Sequence, residues 1–329
     1  IDRQLKVSSS GIKISLELAE NAAEVSRAVD AYIDARVSEL DLLQDELSVQ
    51  VRDALRQKAN GTFLWVALVF EELQQVNGWD VLQVVEELPM DLGKLYDRMV
   101  SQIQKLGRND PEYCRLTLSV VALASRPLCL AELGVLSGLP NAIMDNVEHI
   151  KSIVALCGSF LAIQDDVVHL IHQSAHDFLV GKEDSGKPMG SIFPSGTGNV
   201  HYGIFSRSLR AMKSVLRRNI YDLDDPGLSS AEIKTPDPDP LAPIRYSIIH
   251  WVYHFREAYS SPECATECVW DLSDDGSVLG FFSNCFLYWL ESLCLLRMSS
   301  LGVTMVTIVL RIVQVCLSNN NNLQGTNLS

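Results

Sequence analysis

The sequence predicts a mainly α protein, built of helical bundle segments around one small β-hairpin. Three observations predict it. Apolar residues recur at spacings of three and four along most of the chain, the signature of helices with one buried face. The period falls to two over only two stretches, residues 12–18 and 160–171. Hydrophobic residues make up 47% and charged residues 21% of 329 residues, enough apolar material for packed cores.

Taken in order, Ile12, Ile14, Leu16 and Leu18 alternate with polar residues and read as a half-buried strand. Val25, Val29, Ile33, Val37, Leu40, Leu47, Val51 and Leu55 trace one long amphipathic helix, or two with a break near Asp45. Asn60-Gly61 stops it, and Thr62 is placed to cap the apolar run Phe63–Phe70. Leu88-Pro89 closes a short helix, because proline disfavours helical geometry in the residue before it. Asp91 then opens a helix with the stripe Leu92, Leu95, Tyr96, Met99, Ile103 and Leu106.

The polar turn at 107–111 marks a boundary. Helices follow at Cys114–Ala124, Leu130–Leu136 and Asn141 to about Leu156. Two strands then flank Gln164-Asp165-Asp166, and Ser174–Val180 is helical. Three helices followed by a hairpin is the order of a winged helix. Residues 181–198 read as a loop. Residues 222–243, with six acidic residues and five prolines, read as a solvated linker or surface loop. Further helices are expected at Val200–Leu216, Ile244–Tyr259, Leu279–Leu296 and Leu301–Cys316. The expected organisation is residues 1–107, a winged-helix domain at 108–185, a helical domain at 186–318, and a disordered tail at 319–329.

The formal net charge is −14. Such a chain repels phosphate backbones, and the third helix offers only Lys151 beside Asp145 and Glu148. Nucleic acid is therefore not expected as a partner. The eight cysteines sit mostly in apolar runs, as buried free thiols do, and no apolar leader pattern opens the chain. A cytoplasmic setting is expected. Residues 298–317 approach the length of a membrane span, but Arg311 and Gln314 within them favour a core helix. His172 and His176 stand four apart without the glutamate that the zinc-protease helix requires, so no metal is expected. Ser174 between His172 and Asp177 lacks any nucleophile elbow and reads as a helix cap.

Five runs together carry a resemblance. KANGTFLWVALVFEEL (58–73) resembles the last helical element of the NACHT module in fungal signal-transducing ATPases with numerous domains. LPMDLGKLYDRMVSQI (88–103) resembles the segment that follows it there. RPLCLAELGVLSGLP (126–140) and VVHLIHQSAHDFLV (167–180) resemble that family's winged helix, also found in GPI inositol-deacylase-like proteins. FLYWLESLCLL (286–296) resembles a helix of the domain beyond. The resemblance implies a back part of a NLR-like receptor of the innate-immunity or heterokaryon-incompatibility type. It implies His172 as the residue that touches the β-phosphate of ADP in the closed state. It also implies Gly61, Thr62 and Phe63 as the turn beside adenine, where Phe63 stands in place of a proline.

The family binds ATP or ADP with Mg²⁺ through G-x-x-x-x-G-K-[S/T]. Here Gly93-Lys94, Gly181-Lys182 and Gly186-Lys187 are followed by Leu95, Glu183 and Pro188, so none completes that loop. The expectation is thus a truncated, non-catalytic fragment without a cofactor of its own. Its partners would be proteins, such as a NACHT core or downstream repeats. The alternative is a stand-alone helical scaffold that binds protein; a winged-helix DNA binder is the reading the charge opposes.

Overall fold

The computed structural model describes residues 22–40, 45–74, 76–181, 192–225, 228 and 232–325. The expected strand at 12–18 and most of the loop at 181–198 lie outside them. The chain is mainly helical, with one small antiparallel sheet. It divides into two compact units, residues 1–98 and 99–329, each described by itself.

The first unit holds α1 (Ala22–Val37), α2 (Asp45–Ala59), α3 (Phe63–Leu73), α4 (Val81–Glu87) and the start of α5 (Leu92–Gln104). Of the two readings of residues 25–55, the structure takes the broken one. Val29, Ile33 and Val37 of α1 are buried, as are Val51 and Leu55 of α2. α3 is sheathed on most sides, with Trp65, Val66, Leu68, Val69 and Phe70 buried. The Trp65 indole donates to the Pro89 carbonyl at 2.9 Å. Lys58 Nζ donates to the carbonyls of Glu86 and Leu88, where α4 ends. Cations are favoured at that end of a helix, where carbonyls lack intrahelical partners. The Asp91 carboxylate accepts from the Lys94 N–H at 2.9 Å and so caps α5.

The second unit begins with α6 (Asp110–Leu123). Next come β1 (Leu128–Cys129), α7 (Leu130–Ser137), α8 (Asn141–Met144), α9 (Val147–Leu156), β2 (Leu161–Gln164), β3 (Val167–Leu170) and α10 (Gln173–Val180). The hairpin turns on Asp165 and Asp166, both at positive φ, as a two-residue loop of the twist-matched kind requires. The sheet has a third strand that alternation could not reveal, since β1 is only two residues long. It pairs antiparallel with β3, and the order is β1-β3-β2.

The sequence places one helix over Asn141–Leu156; the structure has two. The Asn146 side chain accepts from the Glu148 N–H at 2.9 Å and starts α9 afresh. A cap of this kind competes with helix continuation. The break also lets α7 come close. A Cβ on Gly134 would stand 2.9 Å from the Met144 carbonyl oxygen and 2.8 Å from Ile150.

The chain continues through α11 (Gly196–Val215), a single 3₁₀ turn at Ala242–Ile244, α12 (Arg245–Tyr259), α13 (Ala265–Asp271), α14 (Ser277–Leu295) and α15 (Ser299–Gly325). α13 has no counterpart in the sequence reading, and α15 runs on through the four asparagines. Phe205, Trp251, Phe255, Phe281 and Trp289 are fully buried in one core. Met305, Val309 and Ile312 of α15 join it. The other face of these last helices is bare, with Leu287 and Val303 each 73% exposed. α14 and residues 299–316 of α15 are each long and apolar enough to cross a membrane.

Candidate functional site

His172 stands immediately before α10 with extended backbone geometry. Its Nδ1 accepts the backbone N–H of Ser174 at 3.1 Å, which makes His172 itself the N-cap. The sequence reading gave that role to Ser174, two positions on. The imidazole has the same acceptor reach as a short polar side chain and arrives first. An accepting Nδ1 carries no proton, so the ring's N–H is assigned to Nε2. The ring is exposed, and Nε2 has no partner among the described residues.

No hydrogen bond joins Asp177 to His172. The Asp177 carboxylate accepts from Gln173 Nε2 at 2.8 Å and lies 3.3 Å from His176 Nδ1. Hydrogen bonds from Gln173 and then His176 hold its carboxyl below the usual range. A Ser–His–Asp relay has the carboxylate on the histidine's far nitrogen, and that geometry is absent here.

In the first unit, Asn60 and Gly61 take left-handed backbone between α2 and α3. Thr62 occupies the cap position of α3, but its side chain makes no capping hydrogen bond. Phe63 is exposed on one side and packs against Tyr32 with ring centroids 5.9 Å apart. The expected adenine-side turn is therefore a left-handed turn followed by an outward aromatic.

The most constrained polar site is one that the sequence did not single out. Glu132, on α7, is 1% exposed. Its carboxylate accepts from both terminal nitrogens of Arg126, at 2.6 and 2.8 Å. It also accepts from the Cys129 N–H at the start of α7 and the Tyr246 N–H at the start of α12, each at 3.0 Å. One buried carboxylate thus terminates two helices at their positive ends, where the backbone favours negative charge. Arg126 also stacks over the Tyr246 ring, 5.1 Å from its centroid.

A chain of donors continues inward. The Ser125 N–H donates to the Tyr246 hydroxyl at 2.8 Å. That hydroxyl then donates to His254 Nε2 at 2.7 Å. His254 must carry its proton on Nδ1, which donates to His201 Nδ1 at 2.8 Å. With both rings neutral, this is the assignment in which each polar hydrogen from Ser125 to His254 meets an acceptor. Burial enforces that neutrality. It pulls His201 and His250 down to about 4 and His254 well below the ordinary value. The neighbouring Arg126 adds to the depression at His250.

The available signal in the sequence was Tyr246, His250 and His254 at intervals of four on one helix. It reads as an ordinary aromatic stripe until Glu132 is seen beneath it.

These histidines make stability depend on pH with a definite sign. Their pKa values in the folded chain lie below the unfolded value near 6.5, so the unfolded chain binds more protons. Their stabilisation is complete above pH ~6.5 and is lost as pH falls toward about 4. The urea midpoint, followed by tryptophan fluorescence, is expected to drop steadily between pH 7 and 4.5. In His250→Gln the drop is expected to be shallower, and an identical pH profile would contradict this assignment.

No family model matches the chain, and no solved structure matches it. Over 318 residues, 93% of this chain, it is 40% identical to the vegetative incompatibility protein HET-E-1 of Podospora anserina. The chain spans 23% of that protein's length.

Proposed function

We propose that the chain is a non-catalytic regulatory and relay segment of a fungal NACHT-type signalling receptor of the heterokaryon-incompatibility type. In this reading its winged helix closes on a nucleotide module not contained in these residues. The observation that carries the reading is the 40% identity to an incompatibility protein along nearly the whole chain. Three features support it. The order α6-β1-α7-α8-α9-β2-β3, with β3 central in the sheet, is compatible with a winged-helix layout in which α8 and α9 share the place of the third helix. The outward Nε2–H of His172 can donate to a phosphate oxygen of ADP supplied by that module. The Glu132 and Tyr246 junction ties α7 to α12, so a displacement of the winged helix is passed to the helices beyond it. Its partners are then proteins, and its setting is the cytoplasm.

Lys151, the one basic residue of α9, is already engaged by Glu148 at 3.1 Å and Asp166 at 3.4 Å, which weakens a DNA-binding reading. The bare face of Leu287 and Val303 favours a second reading, an interaction scaffold that works by docking alone.

Titration calorimetry with Mg-ATP and Mg-ADP separates catalysis from relay. The purified chain is expected to give no binding tighter than about 1 mM, a free energy of only ~4 kcal/mol. Binding near 1 μM, about 8 kcal/mol, would overturn the non-catalytic assignment. In a longer relative that retains the phosphate loop, replacing the histidine equivalent to His172 with alanine is expected to speed ADP release about tenfold, or ~1.4 kcal/mol.

A further inference from the structure

We infer that the cleft between α7, α8 and α11 is a binding site for a small aliphatic carboxylate, held by Arg207 and Arg210. The cleft has a volume of about 550 Å³. Small-molecule sites commonly measure roughly 300–1,000 Å³, with apolar walls and a few placed polar groups. Val135, Leu139, Met144, Tyr202, Val215 and Ile244 supply much of the cleft's apolar lining. From Arg207 the lining residues on α11 run on to Val215, which is ~12 Å at ~1.5 Å per residue. That length suits an extended acyl chain of roughly ten carbons anchored at Arg207.

The charged end is built rather than incidental. Arg207 Nε donates to the Leu136 carbonyl at 2.7 Å, near the C-terminus of α7. Capping a helix explains that nitrogen and leaves the two terminal nitrogens to be accounted for. They lie flat against two glycines. A Cβ on Gly138 or on Gly203 would stand 2.9 Å from a terminal nitrogen of Arg207. Gly138 is also left-handed, with φ +76°, so a side chain there would be strained as well as crowded.

The guanidinium is thereby fixed in place at the edge of an apolar cleft. Among the described residues, no carboxylate pairs with Arg207 or with Arg210, although the chain carries 41 acidic residues. Burial, and then the charge of Arg210, lowers the Arg207 pKa to about 10. The group remains protonated at neutral pH and has no counter-charge among the described residues. An incoming carboxylate offsets both the desolvation and the mutual repulsion, and a guanidinium fork matches its two oxygens. An alcohol of the same length would fill the cleft and relieve neither.

The inference does not depend on the nucleotide reading. Its test is calorimetry on the whole chain with decanoate, decanol and acetate as probes. Decanoate is expected to bind with one-to-one stoichiometry, and decanol and acetate at least tenfold more weakly. Arg207→Gln should weaken decanoate at least tenfold, while Arg218→Gln, outside the cleft, should leave it unchanged. Ser206→Trp fills the cleft while keeping both arginines in the chain and should abolish binding. It carries the test if Arg207→Gln disturbs the end of α7. Absence of decanoate binding, equal affinity for decanol, or wild-type affinity in Ser206→Trp would each overturn the inference.

Discussion

Glu132→Ala is expected to cost about 3–5 kcal/mol of the second unit's stability, read as a fall in the urea midpoint at pH 7.5. The carboxylate accepts four hydrogen bonds, and the substitution removes every one. Two of the abandoned donors are backbone N–H groups at helix starts. Each buried donor left without a partner costs ~1–3 kcal/mol. Arg126 is 35% exposed and can turn to water, so its release adds less than a fully buried cation would. Glu132→Gln retains an acceptor for one or two of those donors and is expected to lose about half as much. Arg126→Lys keeps the charge but loses the fork and the stack on Tyr246, at a cost of about 1–2 kcal/mol. The order alanine, glutamine, then the arginine variant is the diagnostic. A Glu132→Ala chain within 1 kcal/mol of the parent would show that the junction does not hold α7 to α12.

The helical character of the chain was legible because it rests on local period, and period survives in a single sequence. α3, α6, α11, α12 and the hairpin stand where apolar spacing and turn residues put them, within a few residues. The discrepancies are local and have causes. Asn146 splits the third helix because its side chain competes for the Glu148 amide, and periodicity continues undisturbed across such a cap. β1 is two residues long and exists only through its pairing with β3, a non-local interaction that alternation cannot signal.

The site was legible unevenly. His172 could be singled out from a local motif, and the structure gives it a cap role that the spacing had assigned to Ser174. Glu132 pairs with a helix start 114 positions further along. In sequence it is one acidic residue in an apolar helix, indistinguishable from a solvated one. The same holds for Arg207, whose neighbours Arg210 and Lys213 make it read as part of a solvated basic face.

The largest effects on packing are expected at Trp251 and Trp289. Each is fully buried, and their rings meet edge to face with centroids 6.1 Å apart. Trp251 also touches Phe205, Phe281 and Phe282. Truncating either to alanine opens a large cavity in a close-packed core and is expected to cost about 3–5 kcal/mol. The phenylalanine variants separate the two. The Trp289 indole donates to the Ile248 carbonyl at 3.0 Å, so Trp289→Phe loses a buried hydrogen bond together with ring volume. The buried Trp251 Nε1 has no hydrogen-bond partner. Trp251→Phe loses volume but also removes a desolvated donor, and removing such a donor is favourable. Trp251→Phe is therefore expected to be milder than Trp289→Phe by about 1–2 kcal/mol, although the two residues are equally buried. Equal losses in the two phenylalanine variants would mean that cavity volume alone governs this core. A larger loss at Trp251 would mean that its indole N–H is satisfied in solution.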